Sequence, residues 1–234
     1  MTGKIKIDAV IFDMDGVIFD SESVWKKAFE YTNCKYNLDL TEADRQSMCG
    51  KFEKDIRSEL KKSFPNLDVD EYRDFMKTLV ETTINEKGVP LKIGFISLIK
   101  FLKENKIKTA LATSSSAERM ELIFKKANLN NKILFDSIVT SKDVALGKPN
   151  PMIFNIACDN LHLQHKNCIV LEDATNGIEA AYNAGCLPVM VIDLIKPNES
   201  TKKQCFKIYN NLNEVKNFME TETNICTVNQ TLQR

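Results

Sequence analysis

Five short apolar runs punctuate the chain, at residues 7–12, 107–112, 135–139, 168–171 and 187–192, and the later ones are separated by stretches with helical spacing of apolar positions. Strands covered on both faces read as continuous apolar runs, so strand and helix in alternation predict an α/β fold, a doubly wound parallel sheet. Residues 20–88 break this pattern. Amphipathic spacing over 22–33, 41–49, 53–64 and 69–87 predicts four helices there, with Thr41 as an N-cap and Pro65 ending the third. The expected organisation is a core of residues 1–19 and 88–220, a small helical insert at 20–87, and a frayed polar tail at 221–234. Beyond Lys148, Asn150 caps a helix that accepts Pro151 in its first turn, and Gly185 closes the next one.

The 234 residues are enough for a sizeable core, and 43% apolar with 27% charged residues is a globular balance. Thirty-two basic residues offset thirty-two acidic ones, and the insert carries 12 basic against 15 acidic, so neither draws the chain to nucleic acid or an anionic membrane. A small-molecule partner fits better. The cysteines, seven in number and without CxxC pairs, suit reduced thiols and a cytoplasmic location. The first apolar run is too short for a signal-peptide core or a membrane span, so the sequons at Asn198 and Asn229 carry no glycosylation signal.

The candidate chemistry sits at the carboxyl ends of these runs, which share one edge in an open parallel sheet. Asp13 and Asp15 end the first run two residues apart and can point to the same side, and Gly16 lets the chain turn away. Thr113, Ser114, Ser115 and Ser116 follow the second, where small hydroxyls and free amides opening a helix make an anion cradle. Lys148 lies in a stiff Gly-Lys-Pro turn, a point charge for a phosphate. Glu172 and Asp173 end the fourth run, and clustered carboxylates suit Mg²⁺, which binds through one or two of them plus a phosphate. Together these are the parts of a phosphoryl-transfer site. A carboxylate nucleophile, ionised at neutral pH, needs a metal and a lysine to offset its repulsion from a dianionic phosphate.

These four patches resemble the motifs of the haloacid dehalogenase superfamily, in particular its phosphatases of the β-phosphoglucomutase-like subgroup with a helical cap after the first motif. The likeness spans residues 5–218. The motif Asp-x-Asp-Gly-x-x-x-Asp-Ser-Glu is matched from Asp13 to Glu22, the strand-ending Thr or Ser by Thr113, the Gly-Lys-Pro lysine by Lys148, and the Glu-Asp pair with its following Gly by Glu172, Asp173 and Gly177. The resemblance implies a Rossmann-like core with an inserted α-helical cap. It implies that Asp13 attacks phosphorus and that Asp15 protonates the leaving oxygen and then activates water. It further implies that Mg²⁺ is held by Asp13, the Asp15 carbonyl and Asp173 with Glu172 nearby, while Thr113, the Ser114 amide and Lys148 hold the phosphoryl oxygens. A small phosphate ester, such as a sugar or polyol phosphate, is the implied substrate; between a monomer and a weak dimer the sequence does not decide.

Taken singly, each patch has a plainer explanation: a solvated Asp pair, a helix cap, a turn lysine, a strand end. Their order and common placement decide between the two. Specificity is expected from the insert, with Trp25, Gly50, Lys51, Phe52 and Lys54 as candidate residues. The β-phosphoglucomutase pattern has a His after the first motif and an Arg in the cap loop, where this chain has Trp25 and Glu53, which favours a phosphatase over a mutase. A dehalogenase would lack Asp15, and a non-catalytic binding member would have a broken motif. Cys158, His162, His165 and Cys168 lack the paired spacing of structural zinc sites, and a helix end beside core thiols explains them.

Overall fold

The computed structural model describes residues 5–48, 53–194 and 196–224. Residues up to Asp20 together with those from Pro90 onward form one compact unit, and Ser21–Val89 form a second. Eight strands are found among the described residues, all in the first unit: β1 (Ile5–Lys6), β2 (Ala9–Phe12), β3 (Lys108–Ala112), β4 (Ser137–Val139), β5 (Cys168–Glu172), β6 (Leu187–Val191), β7 (Lys207–Tyr209) and β8 (Thr223–Asn224). Six of them make one parallel sheet in the order β4-β3-β2-β5-β6-β7, and β1 pairs with β8 in a separate ribbon. The chain winds outward from β2 through β3 to β4, then restarts at β5 on the other side. The strand order therefore reverses between β2 and β5, the place where open α/β sheets leave a crevice at the strands' carboxyl ends.

The continuous apolar runs follow from burial on both faces. Ala9, Ile11, Ala110, Ala112 and Val170 pack with Ile153, Phe154 and Ala157 of helix Met152–Leu161 and with Ala180 and Ala181 of helix Thr175–Asn183. The alternate position Phe12 meets Phe95 of helix Phe95–Glu104 and Phe135 edge-to-face, both with ring centroids 5.9 Å apart. Phe135 continues the contact to Phe124 and then Phe19, which fixes the chain just past the Asp13 turn.

Two sequence expectations need correcting. The strand β7 carries no long apolar run, because as an edge strand it is only half-buried and Ile208 stands between Lys207 and Tyr209. The tail also begins later than residue 221: helix Leu212–Glu222 runs through it and Thr223, buried, donates its hydroxyl to the Met219 carbonyl at 2.6 Å.

The second unit consists of helices Ser21–Tyr36, Glu42–Met48, Glu53–Ser63 and Val69–Lys87. Thr41 exchanges hydrogen bonds with Asp44 at the start of the second, and the third stops two residues before Pro65. Its small core relies on paired polar groups as well as apolar ones. Buried Tyr72 donates to Asn33 at 2.7 Å, and buried Arg45 bridges Glu22 and Glu42 at 3.0 and 2.8 Å. No helix among the described residues is long and apolar enough to cross a membrane.

Candidate active site

The four strand-end patches are joined by a continuous set of contacts. Lys148 reaches Asp13 at 2.6 Å and Glu172 at 2.5 Å, and also donates to the Ala112 carbonyl at 3.2 Å. This one ammonium therefore ties the ends of β2, β3 and β5 together. Asp15 accepts from the Ser115 hydroxyl at 2.9 Å, and the Ser115 N–H donates to the Thr113 hydroxyl at 3.0 Å. Thr113 is buried, with its N–H on the Val139 carbonyl at 3.0 Å, whereas Ser114 is exposed in the turn before helix Ala117–Lys126.

Two glycines make room for the acids. Gly16 has φ +79°, a left-handed conformation that favours glycine, and a Cβ there would strike the Asp173 carboxylate. A Cβ on Gly177 would strike the Glu172 carboxylate, which is held by the N–H groups of Asp173 at 3.1 Å and Ala174 at 3.2 Å. Gly177→Ala is accordingly expected to displace Glu172 and to weaken any divalent-cation binding at this acidic cluster by about 10-fold, with the fold retained. Calorimetric titration with Mg²⁺ checks this, and an unchanged affinity would separate Glu172 from the metal.

Crowding dominates the electrostatics. Burial pushes the Asp13 carboxyl up to about 7; Lys148 opposes the shift, and Glu172 and Asp15 add to it. In the metal-free site desolvation thus outweighs the lysine and disfavours the ionised form of Asp13. Asp173 is also raised well above its ordinary value by burial and by Glu172, Asp13 and Asp193. Burial works to lower the Lys148 ammonium, but its two carboxylate partners outweigh that and hold it charged. Ligand oxygens of Asp13, Glu172 and Asp173 all lie within 4.8 Å of one another. Oxygen ligands this close, with two carboxyls kept reluctant to ionise by burial and by neighbouring acids, fit a hard divalent cation such as Mg²⁺.

Three residues near these acids escape the sequence reading. Arg119 lies 3.3 Å from Asp15. Lys92 donates to Asp193 at 2.7 Å, and the second Asp193 oxygen is buried without a partner among the described residues. The one sequence signal was Arg119 itself, a cation in the first turn of a helix, where the dipole disfavours it.

Other candidates fall elsewhere. Trp25 sits in helix Ser21–Tyr36 and Lys54 is exposed on helix Glu53–Ser63, both in the second unit, while Gly50, Lys51 and Phe52 lie outside the described residues. Of the thiol and imidazole group, His162 ends its helix in a left-handed conformation; Cys158 and Cys168 are buried, with burial among the causes that hold their thiols well above the ordinary value and so neutral. Cys186 Sγ lies 3.6 Å from Cys158 Sγ, at the opposite ends of the strands from Asp13.

Residues 10–191 match the family model of haloacid dehalogenase-like hydrolases. The chain belongs to that family. Among relatives of this haloacid dehalogenase-like hydrolase, a phosphorylated carbohydrates phosphatase of Thermotoga maritima is 29% identical over 185 residues, 76% of this chain and 82% of its own. A validoxylamine A 7′-phosphate phosphatase of Streptomyces hygroscopicus subsp. limoneus is 26% identical, over 75% of this chain and 81% of its own. The crystal structure of a HAD family hydrolase from Deinococcus radiodurans, with bound phosphate and sodium, shares the fold at a TM-score of 0.79 and 19% identity, covering 92% of this chain and 96% of that one.

Proposed function

We propose that this hydrolase is a Mg²⁺-dependent phosphatase of small phosphate monoesters, of the sugar or polyol phosphate class, working through an aspartyl-phosphate on Asp13. The observation that carries the reading is Asp13 itself, a buried carboxylate at a strand end with Lys148 at 2.6 Å and the Glu172 and Asp173 carboxylates beside it. The relatives named as phosphatases of phosphorylated carbohydrates and of validoxylamine A 7′-phosphate support the substrate class.

In this mechanism an Asp13 oxygen forms a bond to phosphorus as the ester P–O bond breaks, and Asp15 gives its proton to the departing alcohol. Asp15, now a carboxylate, takes a proton from water as that water attacks phosphorus and the Asp13–phosphate bond breaks. Lys148 and the Thr113 hydroxyl face the phosphoryl oxygens and offset the charge they bring. Asp13, Glu172, Asp173 and the Asp15 carbonyl would hold Mg²⁺, which supplies charge neutralisation for the phosphoryl group and for the nucleophile. The Ser21–Val89 unit acts in this proposal as a specificity cap.

Glu53 argues for hydrolysis over phosphoryl transfer between sugar hydroxyls. It occupies the place of the mutase cap arginine and is committed to Arg73 at 2.9 Å and Arg57 at 3.0 Å, its carboxyl lowered to about 2 chiefly by Arg73. Phosphate release should be screened over sugar phosphates, polyol phosphates, nucleotides and phosphoglycolate. Release is expected from at least one sugar or polyol phosphate, to be lost on chelation and regained with Mg²⁺. No release from any ester overturns the reading, and glucose 6-phosphate formed from β-glucose 1-phosphate would replace it with the mutase.

A further inference from the structure

Asp15 is gripped on both carboxylate oxygens. Ser115 Oγ donates to Oδ2 at 2.9 Å and Arg119 Nη2 lies 3.3 Å from Oδ1. Ser115 is itself fixed on two sides, its N–H on the Thr113 hydroxyl and its carbonyl accepting the Ser141 N–H at 3.2 Å. Arg119 is fixed through its backbone, whose N–H donates to the capping Ser116 hydroxyl at 3.3 Å.

The arginine contact is not explained by stability. A cation in the first turn of a helix opposes the dipole by about 0.3–1 kcal/mol, and an ion pair whose side chains are 31% and 34% exposed returns roughly 0–1 kcal/mol. The arginine is thus neutral or unfavourable for the fold, and such local conflicts gather at functional sites. Charge supplies the reason. Asp13, Asp15, Glu172 and Asp173 against Lys148 leave three negative charges when all are ionised, in a pocket that must admit a dianion; Arg119 is the other cation with a described contact to these four acids.

We propose that Arg119, together with Ser115, is a positioning residue for Asp15, fixing the plane of its carboxylate so that the proton is delivered to the leaving oxygen. The inference rests on the phosphatase reading and deepens it. The two donors hold one oxygen each, which resists rotation of the carboxylate, and a proton carrier misdirected by rotation about its last torsion loses rate steeply.

Leaving-group dependence isolates this role. A sugar or polyol alkoxide needs the proton from Asp15, whereas p-nitrophenolate departs without it, and kcat/KM reports only the first chemical step. Arg119→Ala is expected to lower kcat/KM about 10–100-fold on the best alkyl phosphate of the screen but less than about 3-fold on p-nitrophenyl phosphate, a part of the 10²–10⁴ that general acid catalysis contributes. Arg119→Lys should restore part of the loss. In an Asp15→Asn background, Arg119→Ala should have no further effect on the alkyl ester. Unchanged thermal unfolding of Arg119→Ala would show that the fold is intact. Equal losses on both esters, or full multiplication of the two substitutions, would overturn the positioning role while leaving the phosphatase reading standing. A wild-type protein that hydrolyses neither ester overturns that reading and this inference with it.

Discussion

Asp13→Asn is expected to abolish phosphate release, lowering kcat by at least about 10⁴-fold, as loss of a covalent nucleophile does elsewhere. The amide has nearly the shape of the carboxylate but no anionic oxygen to attack phosphorus. Stability should change little at pH 7. Asp13 is buried with its carboxyl pushed up to about 7, so burial already disfavours its ionised form, and Lys148 keeps Glu172 and the Ala112 carbonyl as partners. The variant also relieves like-charge repulsion from Glu172 and Asp15. Phosphate release, thermal unfolding at pH 7 and rapid acid quench of labelled substrate check the three parts of this expectation. Radiolabel trapped on the wild-type chain and absent from the variant is the expected outcome. Retained turnover by a folded variant would remove Asp13 from the mechanism.

The parts of this site that a sequence can show are those set by local geometry. Asp13, Lys148 and Glu172 each follow directly from a strand end or a stiff turn, and a parallel sheet brings strand ends together whatever the intervening chain does. Contacts made across long sequence distances are a different matter. Arg119 meets Asp15 from 104 residues away and Lys92 meets Asp193 from 101 residues away, and neither pairing has a local pattern to announce it. The upward push on the Asp13 carboxyl was equally hidden, because it depends on how completely the folded chain removes water, which residue order does not reveal. β7 escaped for a simpler reason, since a half-buried edge strand lacks the apolar run by which its neighbours were found. The insert was legible as helices through its amphipathic spacing, yet that spacing cannot say what Trp25 or Lys54 would touch.

Lys148→Met is expected to destabilise the metal-free protein by about 3–5 kcal/mol at pH 8, because it removes one partner of a buried ion pair and leaves carboxylates uncompensated. At roughly 2–4 °C per kcal/mol for a chain of this size, Tm should fall by about 10 °C. The loss should shrink at pH 5.5. Asp13 titrates near 7 in the folded protein against an ordinary 3.8, and Asp173 is raised as well, so between these limits the folded state holds protons that the unfolded chain has released. Stability tied to such groups is present at low pH and is lost as pH rises through the folded value. Removing Lys148 takes away the positive charge that draws both carboxyls down, which moves the loss to higher pH and makes it deeper. Mg²⁺ at pH 8 should recover part of the lost Tm, since a divalent cation can supply the missing charge to the same oxygens, and recover less at pH 5.5, where protons compete with it. Turnover should drop by about 10²–10³ even with Mg²⁺ saturating, because the phosphoryl oxygens also lose the ammonium. Melts at the two pH values with and without Mg²⁺ separate charge from packing: the Lys148 ammonium also lies 5.0 Å from the Phe154 ring centroid, and an equal loss at both pH values would mean that this packing, and not the carboxylates, is what the lysine supports.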